Sequence, residues 1–396
     1  MQPHLKKKPG DTLMKGKSVL CRVCSESHTV RMSSSVKKDD GTQDQGTKFH
    51  QDSRLLLNDG HSIPVIALGT FLPDIMREDL IGENRMTVSV LETSDILDKS
   101  LTDKVKEAVK TSLDIGYRHV DCAYIYMTEK YIGQAFQETF SEGNLKREDV
   151  FYTTKLWVTF HQPHLVRSAV ERSLAALQMD YIDLLIIHHP ISLKPGDNLF
   201  PSDDKSIPLF DNVDLRQTWE AMEQCKDARL VKSIGVSNFN RQQLELILNK
   251  PNLKYKPVCN QVECHPYFNQ HGMLEFCKSN NIVLVAYGVL GSPTGTGASW
   301  LDPDCPNLLE DSALVSIGEK YQKSSAQVSI RYLIQRGCVA IVKSFNPERM
   351  KQNLQVFDFQ LSEEDMKTID GLNKNLRFWK YKVWENHPNY HYDQVE

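Results

Sequence analysis

No run of 18 apolar residues occurs in this 396-residue chain, so no membrane-spanning helix is expected. No short apolar core follows the first basic residues, so no secretory signal is expected. A G-x-G-x-x-G stretch is missing. Gly295-Thr296-Gly297 lacks the third glycine, which argues against a Rossmann-type nucleotide site. Cys21 and Cys24 have no second pair at zinc spacing, so they read as unrelated thiols and no metal site is expected. The nine cysteines are an odd number, and Cys122, Cys259 and Cys338 sit inside apolar runs. They read as reduced thiols of a cytoplasmic protein. Charge of one sign is scarce: the net −4 divides into +5 over residues 1–50 and −9 over the remainder. That balance does not suit a nucleic-acid binder.

What is present is an alternation of strands and helices. Residues 1–52 are rich in Lys, Ser, Gln, Asp and Gly without apolar periodicity, and are expected to be disordered. The stretch RLLLNDGHSIPVIALGTF (54–71) follows. Asp59-Gly60 between apolar runs predicts a hairpin, and VIALGTF a buried strand. From about Leu101 the period becomes helical through Val105, Ala108, Val109 and Leu113. Ser100 and Asp103 form a potential capping box, and Gly116 is the stop. Strand candidates after the hairpin are 65–71, 116–122, 149–156, 181–188, 231–237, 258–264, 282–288 and 338–345. Eight such units with helices between them predict an α/β fold of the closed (β/α)8 barrel type over residues 53–396. Two regions break the rhythm. Residues 72–99 are an insertion where the first strand should pass quickly into its helix. The end of the chain, 373–396, is aromatic and non-periodic, with Trp379, Tyr381, Trp384 and Tyr390 as core caps or a binding wall.

Asp121, Tyr126, Lys155 and His188 fall at or just after successive strands, and 34 residues separate Asp121 from Lys155 and 33 separate Lys155 from His188. The C-terminal ends of barrel strands are where this architecture carries chemistry. A phenol gives a proton to a carbonyl only if the phenolate is stabilised, and Lys155 is the candidate cation. A buried ammonium needs a counter-ion, which Asp121 supplies. His188 can donate a hydrogen bond to the carbonyl oxygen. Singly, each residue has a plainer account: Tyr126 as packing, Asp121 as a helix cap, His188 as a core histidine. Together they form a kit for reducing C=O, with a nicotinamide as the hydride source.

The motifs GYRHVDCAYIY (116–126), KLW (155–157), IHHP (187–190), GVSNFN (235–240), NQVECHPY (260–267), AYGVLGS (286–292) and KSFNPERMKQN (343–353) resemble the aldo-keto reductase superfamily. The likeness is to its hydroxysteroid dehydrogenase, dihydrodiol dehydrogenase and prostaglandin F synthase subgroup, and runs from about Ser53 to Glu396. The resemblance implies a monomeric, NADPH/NADP+-dependent enzyme interconverting alcohols and hydrophobic carbonyls such as steroids, prostaglandins or polycyclic compounds. It implies Asp121, Tyr126, Lys155 and His188 as the catalytic tetrad, with Tyr126 as proton donor. It implies Ser237, Asn238 and Gln261 on the nicotinamide carboxamide and Tyr287 on its ring. Lys343, Ser344, Phe345, Asn346, Arg349, Gln352 and Asn353 would clasp the adenosine end. Gly69, Thr70, Leu290 and Ser292 complete the cofactor set. The substrate wall would comprise Phe71, Ile125, Tyr126, Trp157, His188, His189, Trp300 and Trp384. Family members that reduce steroid double bonds carry Glu at the tetrad histidine, so His188 favours carbonyl chemistry. Gly288 departs from the family's usual Ser, which contacts pyrophosphate. An alternative reading is a nucleotide-binding barrel with a structural or regulatory role.

Overall fold

A computed structural model describes residues 49–72, 87, 99–291 and 305–394. A two-stranded hairpin opens the described chain: β1 (Arg54–Leu56) pairs antiparallel with β2 (Ser62–Pro64). Its turn carries Gly60 at φ +87°, a conformation that the Asp59-Gly60 pair makes cheap. Leu57 and Ile63 are buried with Ala67, Phe151, Leu184, Ile186, Cys259, Val285 and Ile341. The hairpin thus contributes its own apolar side chains to the cluster formed by the barrel strands. Asp59 fixes it there, accepting from Lys226 and, at 2.8 Å, from Ser233 Oγ.

The barrel follows. β3 (Ile66–Gly69) leads to α1 (Lys99–Ile115), β4 (His119–Asp121) to α2 (Glu129–Ser141), and β5 (Phe151–Leu156) to α3 (Pro163–Leu177). β6 (Ile182–Ile187) leads to α4 (Leu215–Asp227), β7 (Val231–Ser237) to α5 (Arg241–Leu248), and β8 (Cys259–Glu263) to α6 (His271–Ser279). β9 (Val283–Tyr287) precedes α7 (Ser312–Tyr321) and α8 (Ser325–Gln335), and β10 (Val339–Lys343) precedes α9 (Pro347–Leu354) and α10 (Glu363–Asp370). All eight barrel strands pair in parallel in the closed order β10-β3-β4-β5-β6-β7-β8-β9. The eight predicted strands are all present, trimmed at their ends by up to three residues. β5 and β6 are buried at every position, as a parallel strand with both faces covered must be.

Val105, Ala108, Val109 and Leu113 are buried on α1, and Gly116 ends it at φ +118°. The helix starts at Lys99, so Ser100 lies inside its first turn rather than ahead of it as the predicted cap requires. Of the extension assigned to 1–52, residues 1–48 lie outside the described residues. Phe49 packs against the core, and Gln51 Nε2 donates to Gly116 O at 3.4 Å. The insertion assigned to 72–99 is described only at Leu72, Thr87 and Lys99. Thr87 forms an antiparallel bridge with Asn198, in the connection after β6. No helix among the described residues is long and apolar enough to cross a membrane.

Candidate active site

Parallel pairing brings the C-terminal ends of the strands to one rim of the barrel. Asp121 closes β4, Lys155 is the penultimate residue of β5, and His188 directly follows β6. Register places Asp121 opposite Thr153 and Lys155 opposite Ile186. Tyr126 ends a one-turn 3-10 helix, Tyr124–Tyr126, just beyond β4.

Lys155 Nζ donates to Asp121 Oδ1 at 2.6 Å and to Cys122 O at 2.6 Å. The ammonium is 2 % exposed and the carboxylate residue 4 %, so this is a buried ion pair. The second carboxylate oxygen accepts from Gln261 Nε2 at 2.8 Å. Burial pushes the Asp121 carboxyl up, and Lys155 and Gln261 pull it back. Lys155 Nζ lies 5.1 Å from the centroid of the Tyr126 ring. Burial, then the nearby Asp121 and Cys122, hold the Tyr126 phenol well above its ordinary value. The phenol is therefore protonated at neutral pH. Lys155, the expected cation for the phenolate, stands beside the ring with its hydrogen bonds given to Asp121 and Cys122 O. The His188 ring is 5.9 Å from that of Tyr126, edge to face. Burial first, then His189, Lys155 and His161, keep His188 well below its ordinary value, so it is neutral. Its Nδ1 is buried with no hydrogen-bond partner among the described residues.

The residues expected to hold a carboxamide form a continuous network with this group. Gln261, mid-β8, reaches Asp121 as above. Ser237 Oγ, at the end of β7, donates to Gln261 O at 2.8 Å. Asn238, at φ +60°, donates its amide to His188 O at 2.9 Å and to Ser237 Oγ at 3.1 Å. Its Oδ1 accepts from Tyr287 Oη at 2.8 Å. Thr70, just beyond Gly69 at the end of β3, donates its hydroxyl to Asp121 O at 2.8 Å.

The other expected cofactor residues cluster at the end of β10 and the start of α9. Lys343 and Arg349 are exposed. Asn346 caps α9 by accepting from Arg349 N at 2.9 Å, and Pro347 occupies the first turn. Ser344 and Asn353 are buried, Gln352 is exposed, and Phe345 and Leu290 are half-buried. Ser292 and Trp300 lie outside the described residues.

Of the expected substrate wall, Phe71 packs on Tyr126 at 5.1 Å and Ile125 is buried beside it. Trp157 packs on His188 at 5.4 Å and on Trp384 at 6.0 Å, and its Nε1 donates to Leu199 O at 2.7 Å. His189 is enclosed, not presented to an open cleft: its ring stacks on His188 at 4.6 Å and meets Tyr381 at 4.7 Å and Trp384 at 4.9 Å.

Sequence reasoning missed two anchors of the C-terminal segment. Glu263, the last residue of β8, accepts from Phe378 N at 2.6 Å and from Trp379 N at 3.2 Å. Tyr392 Oη reaches His189 Nδ1 at 2.6 Å. The position of Glu263 at a strand's C-terminal end was the available signal for the first; nothing local in the chain announces the second. Gly288 also finds its reason here. Its φ is +65°, and an added Cβ would come within 2.4 Å of Trp379 Cζ3. The indole and a side chain at 288 exclude one another.

Residues 93–374 match the Aldo/keto reductase family. Dihydrodiol dehydrogenase 3 of Bos taurus is 53% identical over 337 residues, covering 85% of this chain and 96% of that protein. Aldo-keto reductase family 1 member C23-like protein of Equus caballus is 53% identical over 334 residues, 84% of this chain and 95% of its own. Prostaglandin F synthase 1 of Bos taurus is 49% identical over 344 residues, 87% and 98% respectively. With its closed barrel and a Tyr, Lys, Asp and His gathered at one rim, the chain belongs to the aldo/keto reductase family and is an oxidoreductase.

Proposed function

We propose that this enzyme reduces hydrophobic ketones and aldehydes with NADPH, and runs the reverse oxidation with NADP+, using Tyr126 as proton donor and acceptor. The observation that carries the reading is the convergence of a protonated phenol, a neutral imidazole and a buried Lys–Asp pair at one barrel rim. The cofactor's dihydronicotinamide would supply the hydride. Tyr126 would deliver its proton to the carbonyl oxygen as negative charge develops there. Neutral His188 has hydrogen-bonding capacity to spare and would orient that oxygen. Asp121 fixes Lys155 beneath Tyr126, and the ammonium's field would favour the phenolate that remains.

The chain's own donors fit the proposed cofactor. Asn238, Gln261 and Ser237 would hold the carboxamide, and Tyr287 would pack against its ring. Exposed Lys343 and Arg349 at the start of α9 would meet the 2′-phosphate that distinguishes NADPH from NADH. Ser344, Asn346, Gln352 and Asn353 would complete the clasp there. Phe71, Ile125, Trp157 and Trp384 would supply an apolar and aromatic surround suited to a flat, water-poor substrate. The names of the relatives point the same way, towards dihydrodiols and prostaglandins. Buried thiols such as Cys122, Cys259 and Cys338 fit a reducing compartment, and we place the enzyme in the cytosol. The test is NADPH consumption against a panel of steroid, prostaglandin and quinone carbonyls. Turnover of at least one hydrophobic carbonyl is expected, and cofactor binding without consumption of any would contradict the reading.

A further inference from the structure

His189 neighbours the catalytic imidazole, yet it is 2 % exposed and its ring is walled in by Trp157, Tyr381 and Trp384. Its polar contacts are to the chain's own groups. Nδ1 lies 2.6 Å from Tyr392 Oη and 3.3 Å from Asn238 Nδ2. An amide nitrogen can only donate, so Nδ1 faces it unprotonated and the ring proton resides on Nε2. Nδ1 takes its main bond from Tyr392, and the 3.3 Å contact is a shared third arm of an amide that also serves His188 O and Ser237 Oγ. One unprotonated nitrogen therefore gathers the phenol of the C-terminal segment and the amide of β7's end. The histidine and Tyr392 stand 203 residues apart in the chain.

The same segment is tied at its other end by Glu263, which accepts from the backbone of Phe378 and Trp379. Between these ties, Tyr381 and Trp384 stack on each other at 5.6 Å and 12°, flat against the edge of His189. The backbone needs Tyr381 at φ +44°, a conformation that tyrosine rarely adopts and that requires outside support. Glu263 and Tyr392 bracket it on either side. On the opposite flank, Asn238 carries Tyr287 and the His188 carbonyl. His189 is the only residue described that bonds to both Tyr392 and Asn238.

We propose that His189 is a positioning residue: its Nδ1 locks the C-terminal aromatic segment onto the site and couples that segment to Asn238. Resting on the function proposed above, this makes substrate-side and cofactor-side affinity interdependent through one imidazole. Bulky carbonyls meet a wall whose position depends on Tyr392, more than 200 residues away in the chain. Asn238 contacts the same Nδ1, so its own placement shifts when that wall loosens.

The test compares the full-length protein with Tyr392→Phe, His189→Phe and the double variant. Tyr392→Phe removes one oxygen and leaves the ring contacts, so folding should be retained, as checked by melting temperature. It should raise KM for a bulky steroid ketone roughly 3- to 10-fold, the range of one neutral hydrogen bond, and raise the NADPH Kd in the same sense. The kcat for a small quinone should stay within about twofold, because no group at the reacting atoms changes. In the His189→Phe background, Tyr392→Phe should add nothing further. Amide hydrogen exchange across 381–393 should quicken in either single variant. Unchanged KM and Kd in Tyr392→Phe, or effects that multiply in the double variant, would overturn the proposal. If the wild type neither binds nor consumes NADPH, the function proposed above fails. The exchange measurement then still decides the tether, and unchanged exchange in both variants would refute it.

Discussion

Replacing Lys155 by Met should expose how much the buried pair costs when broken. Lys155 Nζ and Asp121 Oδ1 are 2.6 Å apart with both residues almost wholly enclosed. Removing one partner of such a pair costs about 3–5 kcal/mol, because the other charge stays buried. Asp121 has an escape: burial already pushes its carboxyl up, so without Lys155 it takes up a proton. Holding it neutral at pH 7 against an unfolded pKa near 3.9 costs about 4 kcal/mol, which matches the range for a broken pair. The sign follows from linkage. The variant's folded state binds more protons than its unfolded state above pH ~4, so its deficit relative to wild type grows with pH. Between pH 7 and pH 5 the deficit should shrink by about 1.4 kcal/mol per unit while the folded carboxyl remains protonated. Asp121→Asn should also destabilise, by leaving the ammonium unpaired. The double variant should recover much of the summed loss while remaining inactive. Urea unfolding followed by tryptophan fluorescence, with wild type at each pH, measures all of this. Additive losses, or a deficit independent of pH, would refute the buried ion pair as the organising contact of the site.

Arg349→Ala should weaken NADPH by roughly 10- to 150-fold, the equivalent of about 1.5–3 kcal/mol, and leave NADH almost unchanged; equal losses by titration would remove the 2′-phosphate role. Gly288→Ser should destabilise by about 1–3 kcal/mol, because the added Cβ meets Trp379, and Trp379→Ala should relieve part of that cost in a thermal-melt series. Burial lowers His119 and His161 to about 3, so the unfolded chain takes up protons first as pH falls below ~6.5. Each should then remove about 1.4 kcal/mol of stability per pH unit towards pH 3, and a flat unfolding free energy from pH 7.5 to 5.5 would contradict their burial as neutral rings.

The barrel was legible because its strands are short apolar runs at near-constant spacing, and parallel strands with both faces buried leave that mark whatever their partners. β5 and β6 could be read almost to the residue. Boundaries blurred where a buried residue precedes the strand, as Tyr117 does before β4. Asp121, Lys155 and His188 could be brought together from sequence because they fall at the ends of successive strands, and parallel pairing places those ends at one rim. The Lys155–Asp121 bond followed from charge, but the balance on Tyr126 did not. Burial and neighbouring groups set that balance, and the sequence does not record which oxygens Lys155 has already engaged. The C-terminal segment was least legible. Tyr392 reaches His189, and Glu263 reaches the backbone at 378 and 379, through contacts with no period and no local signature. Gly288 looked like a lost hydroxyl and proves to be the space that Trp379 fills.

The most direct measurement of the central claim is carbonyl-dependent NADPH oxidation by Tyr126→Phe beside wild type, with NADPH affinity titrated on both. Only the phenolic oxygen is removed, and the ring keeps its packing against Phe71 and His188. A kcat reduced by about 10²- to 10⁴-fold is expected, with the NADPH Kd nearly unchanged. A variant that keeps near-native kcat on a ketone would contradict the assignment of Tyr126 as the proton donor.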